Sequence, residues 1–339
     1  MNMKRLATML GLSQTTVSRA LNGHDDVSVA TRQRVEEAAR KLGYRPNASA
    51  RRLATGRAGV IGLTFAASSD CLMNPHFSEF LAGLGARMLE ADMDLMLAPV
   101  ERGEEMKAYR RLIASRTVDA LVVSLPKEDD ERIDALNALA MPYIVHGRTL
   151  SADRHAWLDI DNMGVFQRAT RHLLDLGHRR IGLANGLRGF SYAEQREKGF
   201  RTALEERGVQ IDENLVTNGE HTDVSGREIA THFLNADQPP TAIVASSMTM
   251  AMGILRVARS KGLVIGRDLS LIAHDDVVSY LNPHSMLPSL TVTRSSIREA
   301  GHRIGELVLE LIEGRDPTTV REVMPAELIL GDSTGPVPR

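Results

Sequence analysis

At 339 residues, with 43% hydrophobic and 4% aromatic side chains, the chain is long enough for two or three domains with a sizeable core. Its opening, MNMKRLATMLGLSQ, argues against a secretory leader or membrane span and for a cytoplasmic protein, and a single cysteine, Cys71, excludes an intrachain disulfide and a multi-thiol zinc site. The net charge of −2 hides an asymmetry: up to Gly59 eleven Lys and Arg face four acids, a net +7, and the remainder carries −9, so a small basic module suited to a polyanion precedes a larger acidic body.

The first predicted element is a short helix over Lys4 to Leu10, with Leu6, Ala7 and Leu10 on one face. Gly11 breaks it. Ser13 is placed to cap a second helix from Gln14 to Asn22, in which Val17, Ala20 and Leu21 point inward and Gln14, Thr15, Ser18, Arg19 and Asn22 form the outer face. A third helix runs from Val29 to Leu42, with Ser28 as cap and Gly43 as stop. Two short helices about a glycine turn, completed by a third, make a helix-turn-helix whose second helix enters the major groove. Amide, hydroxyl and guanidinium groups on that outer face are the types that read base edges, Gln toward adenine and Arg toward guanine. Pro46 then ends any continuous helix, and the following NASARRL, Asn47 to Leu53, is too short to be a stable helix alone.

The run from Leu6 to Leu63 contains, in order, TVSRALNG, VSxxTRxRV, LGYRPN and ARxLxTGR, and on these motifs it resembles the N-terminus of the lactose-repressor (LacI/GalR) family. The resemblance implies that Gln14, Thr15 and Arg19 read bases, while Ser13, Thr16, Ser18 and Asn22 hold phosphates. It also implies that the segment from Asn47 becomes a hinge helix only when two protomers pair over an operator. Leu53 would then wedge into the minor groove, with Asn47, Ala50 and Arg51 beside it. The domains expected are therefore a helix-turn-helix over 1–46, a hinge over 47–58 and an effector-binding and dimerisation body over 59–339.

From Gly59 the pattern changes to short β-branched or apolar runs: Val60 to Phe65, Asp94 to Val100, Asp119 to Leu125, Pro142 to Gly147, Arg180 to Gly186, Thr241 to Ser247 and Asp268 to Asp276. Between them lie helical stretches at Phe77 to Ala91, Met163 to Leu176, Glu194 to Arg207, Thr249 to Lys261 and Ile297 to Glu313. This alternation predicts an α/β body of doubly wound parallel sheets, with ligands beyond the carboxyl ends of the strands.

The resemblance continues through LLDLGHRRIGL, REKGFRTAL and LPSLTVTRSS. It implies a two-lobed, periplasmic-binding-protein-like body, one lobe over about 60–160 and 294–322 and the other over about 161–293 and 323–339, with an effector between them. By the same resemblance Arg196 is the ligand clamp and Asp275 the ligand-binding carboxylate, with Arg148, His221 and Ser247 lining the cleft. An Arg and a carboxylate suit vicinal sugar hydroxyls. Where the family commonly has Asn-Asp this chain has Ser247-Met248, so the best-known ligands of the family do not transfer. ASSMTMAMG, HDD and GDSTGP make it similar to repressors of α-glucoside operons, which implies a sucrose-, trehalose- or maltose-like inducer.

No nucleophile, base and orienter, and no metal-ligand spacing, supports an enzyme; Asp275-Asp276 alone are too few to specify Mg²⁺. No cofactor is called for. A solute-binding protein shares the body but has no use for a helix-turn-helix. Within regulators the alternative is a purine-like corepressor that tightens DNA binding, whose base would need stacking partners among Phe65, Phe77, Trp157, Phe190 and Tyr192. A palindromic operator calls for a homodimer, and GDSTGPVPR after Leu330 carries no leucine heptad for a tetramer.

Overall fold

The structure, a computed structural model, describes residues 3–21, 26–44, 56–67, 74–101 and 103–338. The chain divides into two units, Met1–Gly59 and Val60–Arg339.

In the first unit, α1 (Met3–Leu10), α2 (Gln14–Leu21) and α3 (Val29–Lys41) enclose Leu6, Ala7, Val17, Ala20, Val35 and Ala39. Gly11 turns at φ +64°, a conformation that costs a side chain but not a glycine, and Leu12 N–H closes onto the Ala7 carbonyl at 3.0 Å. Ser28 caps α3, its Oγ accepting from Thr31 N–H at 3.3 Å. Arg34 of α3 reaches the Leu10 carbonyl, where the negative end of α1 gathers. Asn22 and the expected hinge residues Asn47, Ala50, Arg51 and Leu53 lie outside the described residues, as does Cys71.

The second unit begins with β1 (Val60–Ala66), α4 (Pro75–Glu90), β2 (Asp94–Val100), α5 (Glu105–Ala114), β3 (Ala120–Ser124), α6 (Glu131–Asn137), β4 (Tyr143–His146) and β5 (Ala156–Ile160). The chain continues through α7 (Asn162–Asp175), β6 (Ile181–Asn185), α8 (Ser191–Glu206), β7 (Val216–Asn218), α9 (Asp223–Leu234), β8 (Ala242–Ala245), α10 (Met248–Ser260), β9 (Ser270–Asp275) and β10 (Thr291–Arg294). It ends with α11 (Ile297–Ile312), β11 (Arg321–Met324) and β12 (Glu327–Ile329).

Two six-stranded sheets result. The first has the order β11-β5-β4-β3-β1-β2 and is parallel throughout. The second has the order β12-β10-β9-β8-β6-β7, with only β12 running against its neighbour. The central strands are apolar on both faces because both are covered: ALVVS of β3 and AIVA of β8 are almost wholly buried.

On the first sheet, Phe80, Leu84 and Met88 of α4 pack with Ile304, Leu307 and Val308 of α11 over one face, and Tyr109, Leu112 and Ile133 cover the other. On the second, Phe166 and Leu173 of α7 with Phe200 of α8 face Phe233, Met250 and Ile254 across the strands. Each such fully buried side chain contributes about 1.5–3 kcal/mol.

The chain crosses between the lobes at Ile160 to Asn162, Arg294 to Ile297 and Met324 to Glu327. The last falls slightly later than the expected 322, because β11 stays paired with β5 as far as Met324. Three crossings with short connections leave the lobes free to hinge about them.

Candidate functional site

Two surfaces carry the polar chemistry expected from the sequence, one in each unit. In the first unit the N-terminus of α2 is set by Ser13, whose Oγ accepts from Thr16 N–H at 2.9 Å and meets Thr16 Oγ1 at 2.8 Å. Val17 and Ala20 are inside, which turns Gln14, Thr15 and Arg19 to solvent with Thr16 and Ser18 partly covered beside them. One helix face therefore presents an amide, hydroxyls and a guanidinium. Arg19 is ion-paired with Asp26, just before α3, and both side chains are about half exposed.

In the second unit the site forms where strand ends of the two sheets meet. Arg196 lies on α8 and is only 4% exposed. Its Nε donates to Asn162 Oδ1 at 2.8 Å and its Nη1 to the carbonyl and Oγ of Ser246, both at 2.8 Å. The guanidinium stands over the rings of Phe166 and Tyr192, 5.0 and 5.2 Å from their centroids. Two closely packed helices make this reach possible, since Gly199 brings α8 so near α7 that a Cβ there would sit 2.1 Å from the Met163 carbonyl.

His221 and Ser247 join this group. His221 Nε2 lies 3.3 Å from Ser246 Oγ, with its ring edge-on to Tyr192, and Ser247 caps α10 by accepting from Met250 N–H at 3.2 Å. Arg148 stands further out, its Nε 3.3 Å from Asp159 Oδ2 and its Nη2 donating to Gln195 at 3.0 Å, with the guanidinium over Trp157.

Asp275 does not join them. Successive side chains of a strand point to opposite sides, so Asp276 shares the side of His274 and lines the cavity, while Asp275 accepts from Val277 N–H at 2.9 Å and lies 3.6 Å from Arg294. Of the two acids it is Asp276, and not the expected Asp275, that lines this cavity. Asp276 Oδ1 is 3.8 Å from His76 Nε2 across the lobes and 3.4 Å from His274 Nε2, and has no hydrogen-bond partner among the described residues. Burial would raise this carboxyl, but His76, His274 and Arg196 together hold it below the usual carboxylate range.

His76 and His146 are the residues that sequence reasoning missed. They come from the start of α4 and the end of β4, without a motif; the one available signal was a histidine at the carboxyl end of a strand. His146 stacks on Phe80 at 4.7 Å and on His76 at 6.4 Å. Enclosure pushes His146 and His221 down to about 3, and lowers His76 and His274, although His76, His146 and His221 keep an exposed edge. All four are therefore neutral at pH 7. Among the described residues no group of three or more His, Cys, Asp or Glu is arranged to hold a metal ion.

The lobes meet closely around these groups. Ser191 N–H donates to the Pro126 carbonyl at 2.8 Å, Lys127 bridges to Phe190, and the remaining cavity, lined by Asn74, His76, His221, Ser247, Thr249 and Asp276, measures about 20 Å³. Binding sites for small ligands typically measure ~300 Å³ or more, so entry of one requires the hinge to open. A larger open concavity, bounded by Arg180, Asp212, Arg227 and Asn235, gathers none of these groups.

Comparison with known proteins adds to this picture. The model of bacterial regulatory proteins of the lacI family matches residues 2–47, and that of a periplasmic binding protein-like domain matches residues 170–334. The HTH-type transcriptional regulator AglR of Rhizobium meliloti (strain 1021) is 45% identical over 338 residues, 99% of this chain and 95% of that one. The HTH-type transcriptional regulator RafR of Escherichia coli is 32% identical over 326 residues, 95% of each. Among solved structures, the lac repressor dimer bound to operator and the anti-inducer ONPF matches with a TM-score of 0.84 at 26% identity over 99% of both chains. A complex of the transcriptional regulator CelR with cellobiose matches with a TM-score of 0.73 at 28% identity, over 98% of this chain and 99% of that one.

Proposed function

We propose that this chain, which belongs to the lacI family of bacterial regulatory proteins and is a DNA-binding transcriptional regulator rather than an enzyme, is a repressor released from its operator by a sugar held between its two lobes. The observation that carries the reading is Arg196, buried beside Asp276 and His221 where the two sheets meet, in a chain that also presents an exposed polar face on α2. An enclosed guanidinium and carboxylate, flanked by neutral imidazoles and serine hydroxyls, supply the donors and acceptors that sugar hydroxyls need. The CelR structure with cellobiose supports a sugar as effector, and the lac repressor dimer on its operator supports a homodimer on a palindrome. We assign Gln14, Thr15 and Arg19 to base reading, Ser13, Thr16, Ser18 and Asn22 to phosphates, and Asn47, Ala50, Arg51 and Leu53 to the hinge. The effector is of the sucrose, trehalose or maltose kind, and the protein acts in the cytoplasm at the nucleoid.

In this mechanism the dimer grips DNA through two α2 helices, and the sugar weakens that grip because it prefers a lobe arrangement incompatible with operator binding. Fluorescence anisotropy on a palindromic segment from upstream of the protein's own gene, at fixed salt, tests it. Release by one of sucrose, trehalose or maltose is expected. Tightening by guanine, or indifference to all three sugars, overturns the choice of effector.

A further inference from the structure

We infer that the effector of this cleft is an electrically neutral, polyhydroxylated molecule, and that phosphorylated or otherwise anionic counterparts are rejected. The inference rests on the sugar reading above and narrows it.

Charge matching is the first ground. Around the cavity Arg148 is taken by Asp159 at 3.3 Å, and Arg196 faces the field of Asp276 and Asp159. Farther out, Arg294 lies by Asp275 and Arg298 binds Glu79. The cleft histidines are neutral at pH 7. No guanidinium is left in surplus among the described residues lining the cleft, whereas a phosphate dianion enclosed there needs uncompensated cations.

The second ground is the orientation of unused hydrogen-bonding groups. Asp276 Oδ1 is buried and accepts no hydrogen bond among the described residues, whereas Asp159 Oδ2 is already held by Arg148. A carboxylate is acceptor-only, so Asp276 calls for a donor. A sugar hydroxyl has one; an ionised phosphate or uronate oxygen has none and meets this carboxylate as a repelling charge. Arg196 Nη2, the one terminal nitrogen of that group making no hydrogen bond among the described residues, offers the complementary donor. The neutral rings of His76 and His221 can each donate or accept. A hydroxyl, which does both, fits between Asp276 Oδ1 and Arg196 as a group with only acceptors does not. Leaving a buried charged acceptor unpaired is more costly than any gain from a new surface contact.

Direct binding to the full-length protein tests this without DNA. The single tryptophan, Trp157, lies under Arg148 and serves as fluorescence reporter, with calorimetry as a second readout. The probes are sucrose, trehalose and maltose against sucrose 6-phosphate and trehalose 6-phosphate. One neutral sugar is expected to bind at least about 100-fold more tightly than a phosphorylated form. A phosphate ester that binds as tightly or more tightly overturns the inference and leaves the sugar reading standing; no binding by any of the five overturns both. In Asp276→Asn, nearly isosteric and checked for folding by its thermal melt, the preference is expected to narrow at least about tenfold because the repelling charge is gone. Asp159→Asn, which releases the Arg148 guanidinium as a surplus cation and so should also narrow the preference, serves should the first variant melt early. An unchanged preference in a folded variant overturns the role given to the carboxylates.

Discussion

Glu79 of α4 accepts the backbone N–H of Ser279 at 3.2 Å with one carboxylate oxygen and binds Arg298 of α11 at 2.6 Å with the other. A helix of the first lobe thereby holds the loop that leaves the second sheet directly after Asp276. Between the cleft carboxylate and this anchor sits Val277, at φ +58°. A β-branched residue enters that region at a cost of about 1–3 kcal/mol and stays only when its surroundings enforce it. Asp275 supplies part of that enforcement by accepting Val277 N–H at 2.9 Å. Four consecutive residues, Asp276 to Ser279, thus join the cleft carboxylate to a contact with the first lobe.

Removing the anchor should loosen this loop. Glu79→Ala removes the acceptor of the Ser279 N–H, and because Ser279 is exposed and water can replace the carboxylate, the loss is that of an ordinary hydrogen bond, about 0.5–1.5 kcal/mol. Glu79→Gln keeps an acceptor for Ser279 and loses only the pairing with Arg298, whose side chain is 54% exposed and whose charge therefore adds little. Denaturant unfolding should rank stability as wild type, then Gln, then Ala. Equal stability of the Ala variant and wild type would show that the loop is not held this way.

Gly199 links packing to the site. A Cβ there meets the Met163 carbonyl at 2.1 Å, so Gly199→Ala must push α8 away from α7. Overpacking of this kind costs about 1–3 kcal/mol. The displacement also carries Arg196, one turn earlier on the same helix, away from Asn162 and Ser246. Sugar affinity should therefore fall together with melting temperature. A variant that is destabilised yet binds sugar with undiminished affinity would separate Gly199 from the site.

Arg196 was reached through the resemblance alone, because an arginine beside Glu197 on a helix reads equally as a surface ion pair. The doubly wound architecture was legible more directly: β1, β3, β4, β6 and β8 are mostly apolar and stand out as runs. The strands β7, β11 and β12 have three or four residues and partly exposed faces, so nothing in their composition separates them from loops. Asp275 and Asp276 could not be told apart by spacing, since the choice depends on which side of β9 faces the cleft. His76 and His146, seventy residues apart, become neighbours only through the order of the first sheet. Short motifs report local geometry, whereas the lobe-to-lobe partners of Asp276 are a product of topology.

The cleft histidines give the body a pH response of definite sign. His146 and His221 are held near 3, the largest cause being burial, with His76 adding to the first and Arg196 to the second. Tyr192, His274 and Asp276 are the other titratable groups facing them. The folded protein thus binds fewer protons than the unfolded chain below the ordinary value of 6.5. Their contribution to stability is complete above pH 6.5 and is lost as pH falls from there toward about 3. Burial lowers His155, His172 and His178 as well, which adds in the same direction. Asp276 acts with the same sign but at lower pH, its lowered value stabilising the fold above the ordinary carboxylate range, so it leaves the histidine window untouched. With about 1 kcal/mol lost per enclosed imidazole at one unit below 6.5, discounted for exposed edges, melting at pH 5.5 should fall roughly 3–8 °C below that at pH 7.5. His221→Gln should shrink the difference; a melting temperature independent of pH would refute it.

Arg19 supplies the corresponding test for DNA. Its pairing with Asp26 joins two half-exposed side chains, an interaction worth about 0–1 kcal/mol, whereas a bidentate guanidinium to guanine contributes about 1–3 kcal/mol of discrimination. On the proposed assignment a base contact outweighs the pair with Asp26, which does not withhold Arg19 from DNA. Arg19→Ala should reduce the preference for operator over scrambled DNA by roughly 10- to 100-fold. Because a base contact is lost and not a phosphate contact, the slope of binding against salt should change little. Asp26→Asn should raise affinity for both DNAs by a factor of at most about five, since it removes a negative charge near the phosphates and a weak pair. Anisotropy titrations with both DNAs at two salt concentrations separate these outcomes. If Arg19→Ala weakened both DNAs equally and flattened the salt slope, Arg19 would be a phosphate ligand, and the reading of bases would fall to Gln14 and Thr15.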